Sequence, residues 1–178
     1  NYYVTASIPY INGEPHLGHA MEFVMGDVLA RYARLNKEHN KVLFSIGTDE
    51  HGGKVADKAI EAQVSPKEFA DRTSETFRKL ATDLNISNDR FIRTTDPGHE
   101  QRAGLIWTAL KDYIYKGTYE GWYCTGCETF VTEAIAKANN GVCPNHHKPY
   151  EKLSEDNYFF KLTAFAEQIK EKVESGAF

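Results

Sequence analysis

The segment YYVTASIPYINGEPHLGHA, residues 2–20, decides how the rest of the chain is read. Its start is aromatic and β-branched, which predicts a short strand that Pro9 ends. Asn12-Gly13 is a turn signal. From His19 the period changes: Met21, Val24, Met25, Val28, Leu29, Tyr32 and Leu35 recur at intervals of three and four. That spacing predicts the apolar face of an amphipathic helix. KVLFSIG, residues 41–47, follows as a mostly apolar run, the pattern of a buried parallel strand. Strand, glycine-containing loop, helix and strand make a βαβ unit, so the fold class expected is α/β with a doubly wound parallel sheet.

Working outward, GTDEHGGK (residues 47–54) is a polar loop at the carboxyl end of the second strand, where open α/β sheets bind ligands. A helix is expected through KVADKAIEAQ, residues 54–63. Ser65 with Glu68 reads as a capping box, with Pro66 at the first helical position and Phe69, Phe77, Leu80 and Leu84 as the apolar face. RFIRT, residues 90–94, is a short strand. Asp96-Pro97 starts another helix, with Ile106, Trp107, Leu110 and Ile114 inward and Gly117 at its end. Aromatics, glycines and cysteines then cluster up to about residue 150, which reads as a small inserted module. NYFFKL (residues 157–162) is a strand returning toward the main body, and TAFAEQIKEKVES (residues 163–175) is a final helix. The expected division is residues 1–116, an insertion over 117–157, and a returning strand and helix over 158–178.

With 41% hydrophobic and 26% charged residues the composition is that of an ordinary soluble domain. A net charge of -4 gives no global basic footprint for nucleic acid, although a local patch would not show in the sum. No apolar run is long enough to cross a bilayer, so no membrane partner is expected, and no signal peptide is visible. The chain starts at Asn1 without Met and stops in EKVESGAF, so a fragment of a longer protein is expected.

Three cysteines make a disulfide framework a poor account of them. Cys124 and Cys127 form C-x2-C; Cys143 and His146 form C-x2-H after fifteen intervening residues. Thiolates and an imidazole in two close pairs suit a tetrahedral zinc site. His147 is the competing ligand, and His146 is preferred because C-x2-H is the tighter knuckle. Four protein ligands leave no open position for water, so the zinc is expected to be structural rather than catalytic. The bland reading is three unrelated buried cysteines, and a redox dithiol at Cys124 and Cys127 is the weaker chemical one.

His16 and His19 lack the spacing of a zinc helix, and the loop is neither a P-loop nor a dinucleotide fingerprint. It nevertheless lies where those loops lie, between a first strand and a first helix. Backbone N–H groups at a helix start favour an anion. Gly18 lets a nucleotide lie against the backbone, and two imidazoles beside it can donate hydrogen bonds to phosphate oxygens as charge builds. The bland alternative is that both histidines are helix-start or surface residues. Tyr10 likewise reads as a packed loop aromatic, and Asp49 as a helix cap or turn residue.

PYINGEPHLGHA, residues 9–20, resembles the His-x-Gly-His signature of the class I aminoacyl-tRNA synthetases. Together with GTDEHG and YEGWYC…CE, and with FIRTTD, FVTE and NYFFKL, it is similar to the methionyl-tRNA synthetase family over essentially all 178 residues. The resemblance implies the first half of a Rossmann-like catalytic fold, with a zinc-knuckle subdomain inserted as the connective peptide. It implies that ATP, with Mg2+, activates L-methionine to methionyl-adenylate, and that the methionyl group passes to the terminal adenosine of initiator or elongator methionine tRNA. On this chain it places Gly13, His16, Gly18 and His19 on the ATP side, with both histidines catalytic through charge stabilisation at the α-phosphate. Ser7, Ile8 and Tyr10 line the amino-acid site, and Asp49 pairs with the methionine ammonium group. Glu50 and His51 are weaker candidates that could simply support the loop. The family's second ATP element, a Lys-Met-Ser-Lys-Ser-like loop, does not occur in the sequence, so the segment alone is expected to catalyse little. A cytoplasmic location is expected, or an organellar one with a transit peptide missing. Two alternatives stay open: another class I synthetase, and a non-catalytic zinc-containing RNA-binding derivative of the fold.

Overall fold

The computed structural model describes residues 1–127 and 129–177. Glu128, the last residue of the YEGWYC…CE motif, therefore lies outside the described residues. The chain divides into two compact units, Asn1–Leu105 and Ile106–Phe178. Among the described residues no helix is long and apolar enough to cross a membrane.

The first unit holds β1 (Tyr2–Thr5), α1 (Leu17–Asn36), β2 (Val42–Thr48), α2 (Gly53–Glu61), α3 (Pro66–Asp83) and β3 (Arg90–Arg93). The strands form a parallel sheet in the order β1-β2-β3, in register with Val4 beside Phe44 and Ile46 beside Phe91. This is the βαβ arrangement expected from residues 2–47. Side chains alternate across a strand, so Val4, Phe44 and Ile46 share one face. They form the core with Ile11, with Phe23 and Ala30 of α1, and with Ala70 and Phe77 of α3. Ser65 caps α3, its hydroxyl accepting the Glu68 N–H, but of the expected capping box only this half is seen, because the Glu68 carboxylate pairs with Arg72. Leu84, at the end of that helix, is exposed.

On α1 the expected inward face is corrected. Met21, Val24, Met25, Val28, Leu29, Tyr32 and Leu35 are all exposed, and the helix starts at Leu17 rather than His19. The buried stripe is Phe23, Gly26, Asp27, Ala30 and Ala33. Both stripes satisfy a spacing of three and four, and the small-residue stripe is buried because it lets the helix axis come close to the sheet. At Gly26 a Cβ would lie 2.8 Å from the Phe44 ring. Asp27 is tolerated in this stripe because Ser87 donates to it through both N–H and hydroxyl, and Arg31 pairs with it at 2.7 Å. The opposite face of the sheet, carrying Tyr3, Leu43 and Arg90, borders an open trough of about 730 Å³.

α4 (Pro97–Ala109) begins after Asp96 as expected, but none of it is buried, and Ile106 and Trp107 are exposed. The helix stops at Ala109, a 3₁₀ turn spans Lys111–Tyr113, and β4 (Ile114–Cys124) follows. Ile114 and Gly117 are thus strand residues rather than the inward face and end of a helix. β-branched and aromatic side chains from Ile114 to Tyr123 favour the extended chain. In the second unit β4 pairs antiparallel with β5 (Thr129–Val131) and along ten residues with β6 (Glu151–Phe160). NYFFKL is strand as expected over residues 157–160, where it forms the end of the longer β6, with Phe160 beside Ile114. Tyr119 packs against Phe130 and Phe159 on one face of this sheet. α5 (Glu133–Ala138) and α6 (Ala166–Glu174) complete the unit.

The Gly26–Phe44 contact predicts a cost for any larger residue. Gly26→Val should lower unfolding stability by roughly 1–3 kcal/mol, since two methyl groups would have to displace a fully buried ring. Urea denaturation of the two chains measures the difference, and an unchanged midpoint would contradict the packing account.

Candidate active site and metal centre

The loop between β1 and α1 and the loop after β2 meet at the carboxyl ends of the parallel strands. Pro9 accepts the Asp49 N–H at 2.9 Å, and Ile11 donates its own N–H to the Asp49 carbonyl at 3.3 Å. Tyr10 and Asp49 thereby become partners in a single parallel bridge beyond the end of β1. Ile11, fully buried, anchors the loop from below, while Ile8 and Tyr10 remain partly exposed. A Cβ on Gly52 would lie 2.8 Å from the Tyr10 hydroxyl, and Gly52 has φ +113°, a backbone state that favours glycine. Ser7 donates through N–H and hydroxyl to the Glu22 carboxylate, at 3.0 and 2.5 Å.

His16 and His19 form the start of α1. His16 is the N-cap, and its Nδ1 accepts the Gly18 N–H at 3.1 Å; His19 Nδ1 accepts the His16 N–H at 3.2 Å. This is a capping box built from two imidazoles. The rings stack 3.8 Å apart, and Phe77 supports His19 edge-on. An imidazole that accepts at Nδ1 carries its proton on Nε2, so each ring keeps an N–H donor away from the helix. Burial, then repulsion from His16, holds the His19 pKa below the ordinary imidazole value, with Glu22 opposing. The neutral form is therefore favoured. Gly18 has a local reason to be glycine, because a Cβ there would lie 3.0 Å from the His16 ring. At Gly13 a Cβ would meet nothing within 4 Å.

In the second unit, the ligand atoms of Cys124, Cys127, Cys143 and His146 all lie within 4.8 Å of one another. Cys127 and Cys143 Sγ are 3.6 Å apart, and His146 Nδ1 is 3.3, 3.7 and 3.9 Å from Cys127, Cys143 and Cys124. Tetrahedral coordination with metal–sulfur bonds of about 2.3 Å puts thiolates about 3.8 Å apart, so the set fits a metal ion with little movement. His146, not His147, joins the thiols. A hairpin from Cys143 to Lys148, closed by the Cys143 N–H at 2.9 Å, turns through His147 at φ 53°. Gly126 is required by the same geometry, since a Cβ would lie 2.5 Å from His146 Cγ. Burial pushes the Cys143 thiol up, but hydrogen bonds from the His146 side chain and from the N–H groups of His146 and Asn145 bring it down to about 6. Among the described residues the surrounding core is Cys124, Ala136, Cys143 and Tyr150, with Trp122, Cys127 and Val131 packed against it. A core this small would gain a staple from a metal held at these four ligand atoms.

A model of the family described as tRNA synthetases class I (M) matches residues 2–158. The chain belongs to the class I methionyl-tRNA synthetase family. Methionine–tRNA ligase of Thermotoga maritima is 40% identical over 172 residues, covering 94% of this chain and 27% of that one. The Rickettsia conorii enzyme of the same name is 43% identical over 176 residues, covering 98% and 34%. A solved methionyl-tRNA synthetase of Mycobacterium tuberculosis, in complex with methionyl-adenylate, superposes with a TM-score of 0.86 at 38% identity, over 98% of this chain and 35% of that one. The chain thus spans about a third of the length of these relatives, and its parallel sheet with flanking helices is their Rossmann-like fold.

Within this synthetase fold the structure adds residues that the sequence analysis did not single out. Glu22 engages Ser7 from one turn into α1, a partner hidden by fifteen residues of separation. Phe77, expected only on the apolar face of α3, also reaches His19. Gly126 sits inside the first knuckle, and its place between the two cysteines is the one local signal that could have found it.

The double cap predicts the tautomer and a pH dependence. Both imidazoles should show the Nε2–H form by ¹⁵N chemical shift at pH 8. The lowered His19 pKa means that the unfolded chain takes up the proton first. The stability that His19 contributes is therefore complete above about pH 6.5 and falls as pH drops from there toward the depressed folded value. Protection factors of the amides in the first turn of α1, taken relative to the intrinsic exchange rate at each pH, should fall across that window; protection that is flat with pH, or an Nδ1–H form at either ring, would contradict the cap.

Proposed function

We propose that a synthetase chain carrying this segment activates L-methionine with ATP and transfers the methionyl group to the 3′ adenosine of methionine tRNA. The observation that carries this is the meeting of two loops at the strand ends: the first leads from the Tyr10–Asp49 bridge to the capped His16–His19 pair at the start of α1, and the second carries Asp49. In this reading the two Nε2–H groups and the positive end of α1 hold phosphate oxygens of ATP. Asp49 pairs with the methionine ammonium group, a charge-assisted bond. Ile8 and Tyr10 grip the thioether, and Ser7 is held beside them by Glu22.

The methionine carboxylate attacks the α-phosphorus, the bond to the bridging oxygen breaks, and pyrophosphate leaves. The nucleophile is already ionised, so no general base is needed. The two Nε2–H groups donate to the charge that builds on the phosphoryl oxygens, and neither ring is needed as a base. Mg2+ enters with ATP as part of the substrate. A Lys-Met-Ser-Lys-Ser-like loop on the pyrophosphate side is absent from these 178 residues, so this segment supplies only part of such a site. The exposed apolar stripe of α1 and the open face of the sheet support a reading in which further chain covers them. Parallel sheets are normally covered on both faces. Residues 117–157 are proposed as the connective-peptide insertion, with zinc in the Cys124, Cys127, Cys143 and His146 site in a structural role.

Methionine-dependent exchange of pyrophosphate into ATP tests the reading. In a full-length chain carrying this segment, His19→Ala should lower kcat by about 10²–10³ while the methionine KM changes little. Asp49→Ala should instead raise the methionine KM. The 178-residue segment by itself should exchange little, and a strong rate from it would overturn that expectation. Cys127→Ser should lose bound zinc, measured by atomic emission, and with it the near-ultraviolet signal of the aromatic β4–β6 sheet. Retained zinc with full activity would remove the structural role.

A further inference from the structure

Asp49 lies between two residues that the fold ties down from the other side. Thr48 is fully buried, and its hydroxyl lies 2.7 Å from Glu50 Oε1 and 3.0 Å from the Ser74 hydroxyl of α3. Glu50 is only 4% exposed, and its carboxylate accepts four hydrogen bonds. Two come from one guanidinium, Arg93 Nε to Oε1 at 2.7 Å and Arg93 Nη2 to Oε2 at 2.8 Å. The others are the Thr48 hydroxyl on Oε1 and the Thr95 hydroxyl on Oε2, at 2.7 and 2.5 Å. The Glu50 N–H donates to the Thr94 hydroxyl at 2.9 Å. Arg93 is held in turn by Asp71 of α3, at 2.7 Å from Nη2. Burial pushes the Glu50 carboxyl up, but Arg93, Thr48 and Thr95 outweigh it and keep the group ionised. Arg93 is correspondingly held in its charged form by Glu50 and Asp71.

An ion pair this deep is a poor way to gain stability. Desolvation offsets most of the Coulomb attraction, and a well-packed apolar pair of similar volume is often as stable or more so. What a bidentate guanidinium–carboxylate pair provides is direction, because its two parallel bonds fix the plane and rotation of both groups. Thr48 and Glu50 are two apart and share a side, so the intervening Asp49 is turned to the opposite one. Its backbone is pinned there by Pro9 and Ile11.

We propose that Arg93 and Glu50 are positioning residues for the amino-acid site: their pair fixes the rotation of the chain at residues 48–50 and so aims the Asp49 carboxylate at the substrate ammonium group. The inference rests on the methionine-activating reading of Asp49. Neither Arg93 nor Glu50 touches the substrate. Arg93 reaches the site from the end of β3, forty-three residues from Glu50.

The test uses a full-length chain carrying this segment, with pyrophosphate exchange and thermal unfolding measured on the same preparations. Arg93→Lys keeps the charge and loses the fork. It should raise the methionine KM by about 10-fold or more, as expected for a misplacement near 1 Å, with the ATP KM and the kcat per folded site little changed. The inhibition constant of a methionine analogue lacking the ammonium group should stay at its wild-type value, since the clamp acts only through Asp49. Thr95→Val, which removes one bond from Glu50 and leaves the ion pair, should move the methionine KM in the same direction by less, and it serves if Arg93→Lys does not fold. An unchanged methionine KM in both folded variants, or in Thr95→Val alone should Arg93→Lys not fold, overturns the clamp. So does equal weakening of the analogue and of methionine, which would mark a general loosening of the pocket. A wild-type chain with no methionine-dependent exchange overturns the functional reading itself, an outcome distinct from failure of the clamp.

Discussion

Two backbone hydrogen bonds, from Asp49 to Pro9 and from Ile11 to Asp49, join the loop after the first strand to the loop after the second. Without them the strands would end in separate polar loops, and Tyr10 and Asp49 would have no fixed relation. With them, a residue from each loop sits side by side at the carboxyl edge of the sheet, where α/β folds collect ligands. The other features of the first unit support that junction. Ile11 is buried under it, Gly52 leaves room for the Tyr10 ring, and α1 is brought close to β2 by the Gly26–Phe44 contact, which sets where its histidine-capped start lies.

At the two histidines an observed structural role meets the proposed chemical one. Helix starts are usually capped by short oxygen-bearing side chains. Here the acceptors are imidazole nitrogens, and accepting at Nδ1 leaves a donor at Nε2. The bland reading of these residues as helix-start groups and the phosphate reading are therefore compatible. The cap selects the tautomer that the phosphate reading needs, and the lowered His19 pKa keeps that ring neutral.

The second unit solves a different problem. Its antiparallel sheet carries many half-exposed aromatics, and the core beside the cysteines is a handful of side chains. Cross-strand aromatic pairs help along β4 and β6, but they do not hold the knuckles. Four ligand atoms already spaced for tetrahedral coordination would couple the binding of a metal to the folding of that end of the unit.

The strand–helix–strand order, the Ser65 cap and the grouping of cysteine ligands were legible in the chain because each depends on neighbours a few residues apart. Period, cap chemistry and C-x2-C spacing are local properties, and the choice of His146 over His147 followed from knuckle length alone. The residues carrying the candidate site were legible through motif resemblance, not through periodicity. What the tertiary structure decided were matters of contact at long separation. On α1 the periodicity admitted two stripes, and burial went to the smaller one because Phe44 needs the space over Gly26. The stretch around Ile114 could continue a helix or begin a strand, and the ten-residue ladder with β6 decided for the strand. Arg93 looked like any strand-end cation until the fold brought it to Glu50. Local spacing selects the elements; which face is buried and which charge finds a partner depend on packing between residues that the sequence holds far apart.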